Sequence, residues 1–172
     1  MSKPDQYVGF CRIPLSQELQ ETLRATEEST VTVDQMTKLN FKGADLRELP
    51  WEGTPKKAAG LKVIQGQDWP GKKNMRINWI GRDLVLFKYA VITDENERGL
   101  YVPRPFSPEA DVKAIIHNTR TNASQIFSWD ESHAFLLEEG VRVIAMTIPI
   151  RFFLLRFYFT TEVNGQEEHE QD

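Results

Sequence analysis

The sequence predicts an α+β fold, a single domain with a mainly antiparallel sheet, and three observations carry that reading. The most apolar stretch, VRVIAMTIPIRFFLLRFYFTTEV from Val141 to Val163, is built of β-branched and aromatic residues, which suit a pleat and disfavour a helix. Pro149 in its middle rules out one continuous helix, in which it would cost about 3 kcal/mol. Strand-like and helix-like segments are grouped along the chain rather than strictly alternating, which favours α+β over a doubly wound sheet. The expected domain spans 1–163, its sheet built on the C-terminal strands of 141–163 with about four short helices packed on it. Residues 164–172 are expected to form an acidic flexible tail.

Within the apolar stretch the even positions Ile144, Met146, Ile148, Ile150, Phe152 and Leu154 are filled first. From Phe153 onward the odd positions Phe153, Leu155, Phe157 and Phe159 take over. The change of face near Pro149 predicts two consecutive strands, or one strand bent at a bulge. Around Phe152 to Leu155 both faces are apolar, so that segment should be covered on both sides. Arg142, Arg151 and Arg156 interrupt the run, which excludes a membrane span of about 18 uninterrupted apolar residues.

Taken in order, Tyr7 to Ile13 reads as a short strand ending at Pro14. Ser16 caps a helix whose Leu15, Leu19 and Leu23 form a narrow stripe at i, i+4 spacing. Thr32 to Gln35 has capping-box spacing ahead of a helix carrying Val33, Met36 and Leu39. Ala44 to Leu49 reads as one helical turn stopped by Pro50. Trp51 to Gly60 should be loop and Leu61 to Ile64 a short strand. Gln65 to Lys73 is irregular again, and Met75, Ile77 and Trp79 alternate with polar residues as a half-buried strand does. Leu84 to Ile92 and Leu100 to Phe106 are strands, with TDENERG as the hairpin connection between them. Ser107-Pro108-Glu109 has the pattern of a helix start, with Val112, Ile115 and Ile116 as its buried face. Asn118 to Ser124 is a polar loop. Ser128 to Glu131 is a capping box opening a helix that runs to Gly140, and the chain then enters the central strands.

A chain of 172 residues is long enough for one core without covalent staples, and its single cysteine, Cys11, excludes an internal disulfide framework. No cleavable apolar leader opens the sequence, so the expected location is intracellular or intravirion rather than secreted, and the sequon Asn122-Ala123-Ser124 reads as chance. The net charge of −4 hides an asymmetry. Between Trp51 and Arg82 seven cations (Lys56, Lys57, Lys62, Lys72, Lys73, Arg76, Arg82) face two anions (Glu52, Asp68), a local balance of +5 that leaves −9 elsewhere.

Chemical signatures are sparse. No HExxH or CxxC spacing and no phosphate-cradling GxxxxGK[ST] or GxGxxG loop occurs, so no metal and no cofactor is expected and no catalytic residue is assigned. His133, placed on the apolar side of its expected helix with Asp130 three residues back, is the one acid–base candidate, with His117 as a second ligand; packing at the rim of the core is the plainer reading. Cys11 reads as a small core residue of the first strand. Glu138 and Glu139 read as a solvated helix end.

The basic segment is different, because Trp51, Trp69 and Trp79 are interleaved with its lysines. Cations can neutralise phosphates while aromatic faces stack on bases or sit at a membrane interface. The function expected from this pattern is a non-enzymatic binding and assembly protein of the viral matrix or nucleocapsid-associated type. It would contact a polyanion (nucleic acid, ribonucleoprotein or anionic lipid) through Lys56, Lys57, Lys62, Lys72, Lys73, Arg76, Trp51 and Trp69, and would form a homo-oligomer. The acidic tail would compete for the same loops. Two alternatives stand beside it: a small enzyme with a site around His117, Asp130 and His133, and an adaptor that docks a protein partner on Leu15, Leu19 and Leu23 without polyanion contact.

Overall fold

Apolar alternation becomes strand along most of this chain. The computed structural model of the protein describes residues 9–26, 32–41, 43–50, 55–70, 75–77, 81–106, 111–146 and 148–159. Strand β1 (Phe10–Pro14) leads into helix α1 (Gln17–Arg24). A 3₁₀ turn (Val33–Gln35) precedes β2 (Thr37–Phe41) and β3 (Ala44–Glu48), and helix α2 (Pro55–Gln65) follows. Then come β4 (Met75–Ile77), β5 (Arg82–Lys88), β6 (Ala90–Ile92), β7 (Glu97–Arg104), β8 (Lys113–Asn118), β9 (Ser124–Ser128), β10 (His133–Leu137), β11 (Val141–Ala145) and β12 (Ile150–Phe159).

The last eight strands are two arms of one long hairpin. Its tip is the turn after Asn118, whose side chain accepts the backbone N–H groups of Arg120 (2.9 Å) and Thr121 (3.3 Å), while Asn122 takes the left-handed conformation (φ 62°). From that tip β8 pairs with β9, β7 with β10, β6 with β11 and β5 with β12, all antiparallel. Alternate pairs fall into alternate sheets. The major sheet runs β1-β10-β7-β12-β5-β3-β2, with β4 also on β12, and the minor sheet runs β6-β11-β8-β9. The pairings β12 with β7 and β11 with β8 complete a double-sheet jelly roll. The chain changes sheet between β5 and β6 at Tyr89 (φ 69°), whose carbonyl accepts from Ala145 N at 3.0 Å.

Two cores use the two faces of the major sheet. Between the sheets lie Leu84, Leu86, Val91, Tyr101, Ile116, Phe135, Val143, Phe152 and Leu154 among others. On the outer face, α1 and α2 cover Leu100, Val102, Leu136, Phe153, Leu155 and Phe157 with Leu15, Leu19, Leu23, Leu61, Ile64 and Trp69. Strand β12 is therefore apolar on both faces because it is sandwiched, as the sequence of Phe152 to Leu155 requires. The break near Pro149 separates two strands that belong to different sheets.

The architecture agrees with a mainly antiparallel α+β domain, but among the described residues two α-helices take the place of four. Three expected helices are strands: Ala44–Glu48 is β3, Ile115 and Ile116 belong to β8, and His133 to Leu137 is β10. Thr32 caps only a 3₁₀ turn, and Leu39 is in β2. The expected loop and strand of 51–64 are, from Pro55 on, helix α2. The segment 93–96 joins different sheets rather than closing a hairpin. Cys11 is exposed on β1 rather than in the core. Helix α1 forms as expected, with Ser16 Oγ accepting Leu19 N at 3.1 Å. No helix among the described residues is long and apolar enough to cross a membrane. The tail 164–172 lies outside the described residues.

Candidate ligand pocket

The jelly roll brings charged side chains together where its strands end. Arg104 closes β7 and Arg151 is the second residue of β12, directly opposite it in the ladder. Like charges facing each other across a ladder repel, and the structure gives each guanidinium its own partners. Arg151 forks onto Asp83 of β5 with Nε donating to Oδ1 at 2.9 Å and Nη2 to Oδ2 at 2.8 Å. Arg104 Nη2 donates to Leu23 O at 3.1 Å. Both guanidiniums also lie by the Phe153 ring, 5.4 and 5.9 Å from its centroid.

Asp83 is fully buried and takes a second cation, Lys57 of α2, at 2.8 Å. Lys57 Nζ further donates to Pro50 O at 3.2 Å. The network pins α2 to the major sheet. Lys57 is 6% exposed and Trp69 4%, with the Trp69 indole N–H donating to Ile64 O at 2.8 Å. Both residues, assigned to a polyanion surface from the sequence, are internal. Lys56 and Lys62 are exposed on α2, and Arg76 lies on β4 opposite Tyr158. Trp51, Lys72 and Lys73 lie outside the described residues. The stripe of Leu15, Leu19 and Leu23, at 8, 6 and 1% exposure, is taken up by the outer core.

Where β7 and β9 finish and β10 and β12 begin, a pocket of about 430 Å³ opens. It is lined by three arginines (Arg24, Arg104, Arg151), three acids (Asp111, Asp130, Glu131) and the apolar surfaces of Trp129, Phe106 and Ile150. Trp129 is rigidly held: it stacks on Phe135 (5.3 Å between ring centroids, 3° between planes), meets Phe152 edge-on, and donates its N–H to Arg151 O at 3.0 Å. Arg24 and Glu131 form an ion pair at 2.9 Å. A larger cleft of about 710 Å³ lies on the outer side of the minor sheet near Tyr89 and Arg142, and Tyr89 there is 67% exposed.

The histidine candidates divide between the sheets. On β8 of the minor sheet, His117 Nδ1 accepts from Arg142 Nε at 2.9 Å and Nε2 bonds Asn122 Oδ1 at 2.9 Å, so both ring nitrogens are engaged. His133 opens β10 of the major sheet. The Ser132 hydroxyl contacts both Asp130 Oδ1 and, at 2.7 Å, His133 Nδ1. A hydroxyl has one proton and a carboxylate only accepts, so that proton points at Asp130 and His133 Nδ1–H donates to Ser132 Oγ. Burial, and secondly the Arg12 charge, pull the His133 pKa below its ordinary value, with Asp130 partly opposing. Of the sequence-assigned groups among the described residues, only Asp130 lines the pocket.

No family model matches the sequence, and no curated protein matches it. Solved structures match in shape. A Pseudomonas putida prolyl-4-hydroxylase aligns with TM-score 0.52 and 7% sequence identity over 88% of this chain and 92% of that chain. What is shared is the fold. This jelly roll, common to an enzyme, overturns the expected viral-matrix type of protein, and the burial of Lys57 and Trp69 removes two of the residues on which polyanion contact was to rest. Among the described residues no group of three His, Cys, Asp or Glu could hold a metal ion, and His117 and His133 sit in different sheets.

Neither Asp83 nor the pocket was found from the sequence. One signal was available: in RDLVLFK, Asp83 shares its parity with Val85, so on a strand an acid occupies an inward position.

Proposed function

We propose that this protein is a non-catalytic binding module of jelly-roll fold whose end pocket takes a small amphoteric molecule, one bearing both a carboxylate and an ammonium or guanidinium group, with the chemistry of an amino acid or short peptide. The observation that carries this is the lining of the pocket, to which three arginines (Arg24, Arg104, Arg151) and three acids (Asp111, Asp130, Glu131) contribute beside Trp129. A lining of both signs favours a ligand of both signs over a simple anion or cation, and about 430 Å³ is within the usual range for small-ligand sites.

The test is a thermal-shift and calorimetric panel of free amino acids and dipeptides against monocarboxylates and monoamines of matching size. A ligand at about ten times its Kd stabilises by about 1.4 kcal/mol, which raises Tm by roughly 3–6 °C at this chain length. Amphoteric probes should give that shift, and Arg24→Ala or Asp130→Asn should reduce it. No shift with any probe, or equal shifts in both variants, would overturn the proposal.

A further inference from the structure

A sheet edge offers unpaired N–H and C=O groups to any other chain, and folded proteins blunt such edges with charge, proline, bulges or short length. Among the described residues five strands have an unpaired side. β1 carries Arg12 and ends in Pro14, β2 carries Lys38, and β4 and β6 have three residues each. The fifth, β9, has none of these devices in its own sequence. Its sequence Ser124-Gln125-Ile126-Phe127-Ser128 is uncharged, and it pairs with β8 over five consecutive residues without a register shift.

The outer face of the minor sheet adds a second feature. Ile126 is 55% exposed and begins a row that crosses all four strands: Ile126 opposite Ile115, Ile115 opposite Ile144, Ile144 opposite Ala90. We propose that β9 is a self-pairing edge, through which two copies of this chain join antiparallel about a two-fold axis at Ile126. In that register Ser124 meets Ser128 of the second copy, Gln125 meets Phe127, and Ile126 meets Ile126, so no like charges oppose each other within the two paired strands. The two minor sheets become one of eight strands, and the apolar row runs unbroken across it. A two-fold axis makes the patch its own partner, as an isologous interface requires. The contact between five-residue edges is small beside the about 1,600 Å² of a standard interface, so the dimer is weak and reversible.

The experiment is sedimentation equilibrium of the full chain from about 1 to about 500 µM, the range in which a weak association shows, with amide hydrogen exchange at both ends of the range. A monomer–dimer equilibrium is expected, with protection rising with concentration in 124–128. The register supplies a charge test on exposed serines. S124K/S128E brings opposite charges together twice across the axis and should tighten the dimer, whereas S124K/S128K brings like charges together twice and should weaken it, the two Kd values differing by at least about tenfold. A chain that stays monomeric throughout, a dimer indifferent to both variants, or concentration-dependent protection confined to another segment would each overturn the proposal. Thermal melts of both variants at the lowest concentration report whether the monomer fold is intact, and the opposite signs of the two expected shifts cannot both arise from unfolding.

Discussion

Replacing Asp83 by alanine removes a carboxylate that both Lys57 and Arg151 bond in a site from which water is excluded: Asp83 is fully buried, Lys57 is 6% exposed and Arg151 7%. Removing a partner from a buried ion pair costs about 3–5 kcal/mol, because the charge left behind has lost its hydration without compensation. Against a typical total of about 5–15 kcal/mol that is a large fraction, and it should lower Tm by roughly 6–20 °C at this chain length. Lys57→Met should cost less, about 1–3 kcal/mol, since the apolar stem is kept and Asp83 retains the fork of Arg151. In the double variant the two losses should overlap, leaving a coupling energy of about 0.5–3 kcal/mol. Urea unfolding followed by circular dichroism, with the m value unchanged, measures all three. If Lys57→Met changed stability by less than about 0.5 kcal/mol, as at an ordinary surface position, the internal role assigned to this lysine would be refuted.

Gly60→Ala tests the seating of α2 against the end of α1: a Cβ there would run into Thr26 Cγ2, so overpacking of about 1–3 kcal/mol should outweigh the about 1 kcal/mol that alanine gains as a helix former. A stabilised Gly60→Ala in the same urea assay would contradict that packing. The His133 imidazole should titrate below 6.5 by NMR, and Arg12→Ala should move it upward. Because the folded-state value is the lower one, the stability the neutral ring contributes is complete above about pH 6.5 and is lost as pH falls through the folded value. A midpoint at or above 6.5 would exclude the burial assigned as its main cause.

What could be read from the sequence was the most crowded part of the fold. Apolar residues at both parities between Phe152 and Leu155 have one economical explanation, a strand covered on both sides, and β12 is that strand. Ser16 and the leucine stripe likewise gave α1 its place. Strands β8 and β10 were misread for a physical reason. Short runs such as Ala-Ile-Ile and Ala-Phe-Leu-Leu fill several adjacent positions, so a helical and an extended period fit them equally. The spacing Ser128-x-x-Glu131 looks like a capping box, but Asp130 accepts Ser132 N at 2.9 Å instead and turns the chain into β10. The end pocket was illegible because its groups come from the ends of strands far apart in sequence and only the jelly-roll pairing brings them together. Glu139, read as a solvated helix end, has definite partners: the Asn96 backbone N–H first and Arg120 second hold its carboxyl below the ordinary range.

The paired lysines show why charge density along a chain is a poor guide to charge density on a surface. Adjacent residues point about 100° apart on a helix and to opposite faces on a strand, so a dibasic pair divides its charges in either regular element. Helix α2 does this with Lys56 and Lys57, the first exposed and the second buried. Lys57 stands four residues before Leu61 and seven before Ile64, both buried against the major sheet, and so it belongs to the inward stripe by spacing alone. A lysine there requires a carboxylate beneath it. Asp83, on the face of β5 that α2 covers, meets that requirement. Each residue makes sense of the other: an inward acid on a strand and an inward lysine on a helix are anomalies singly, and together they fix where the helix docks.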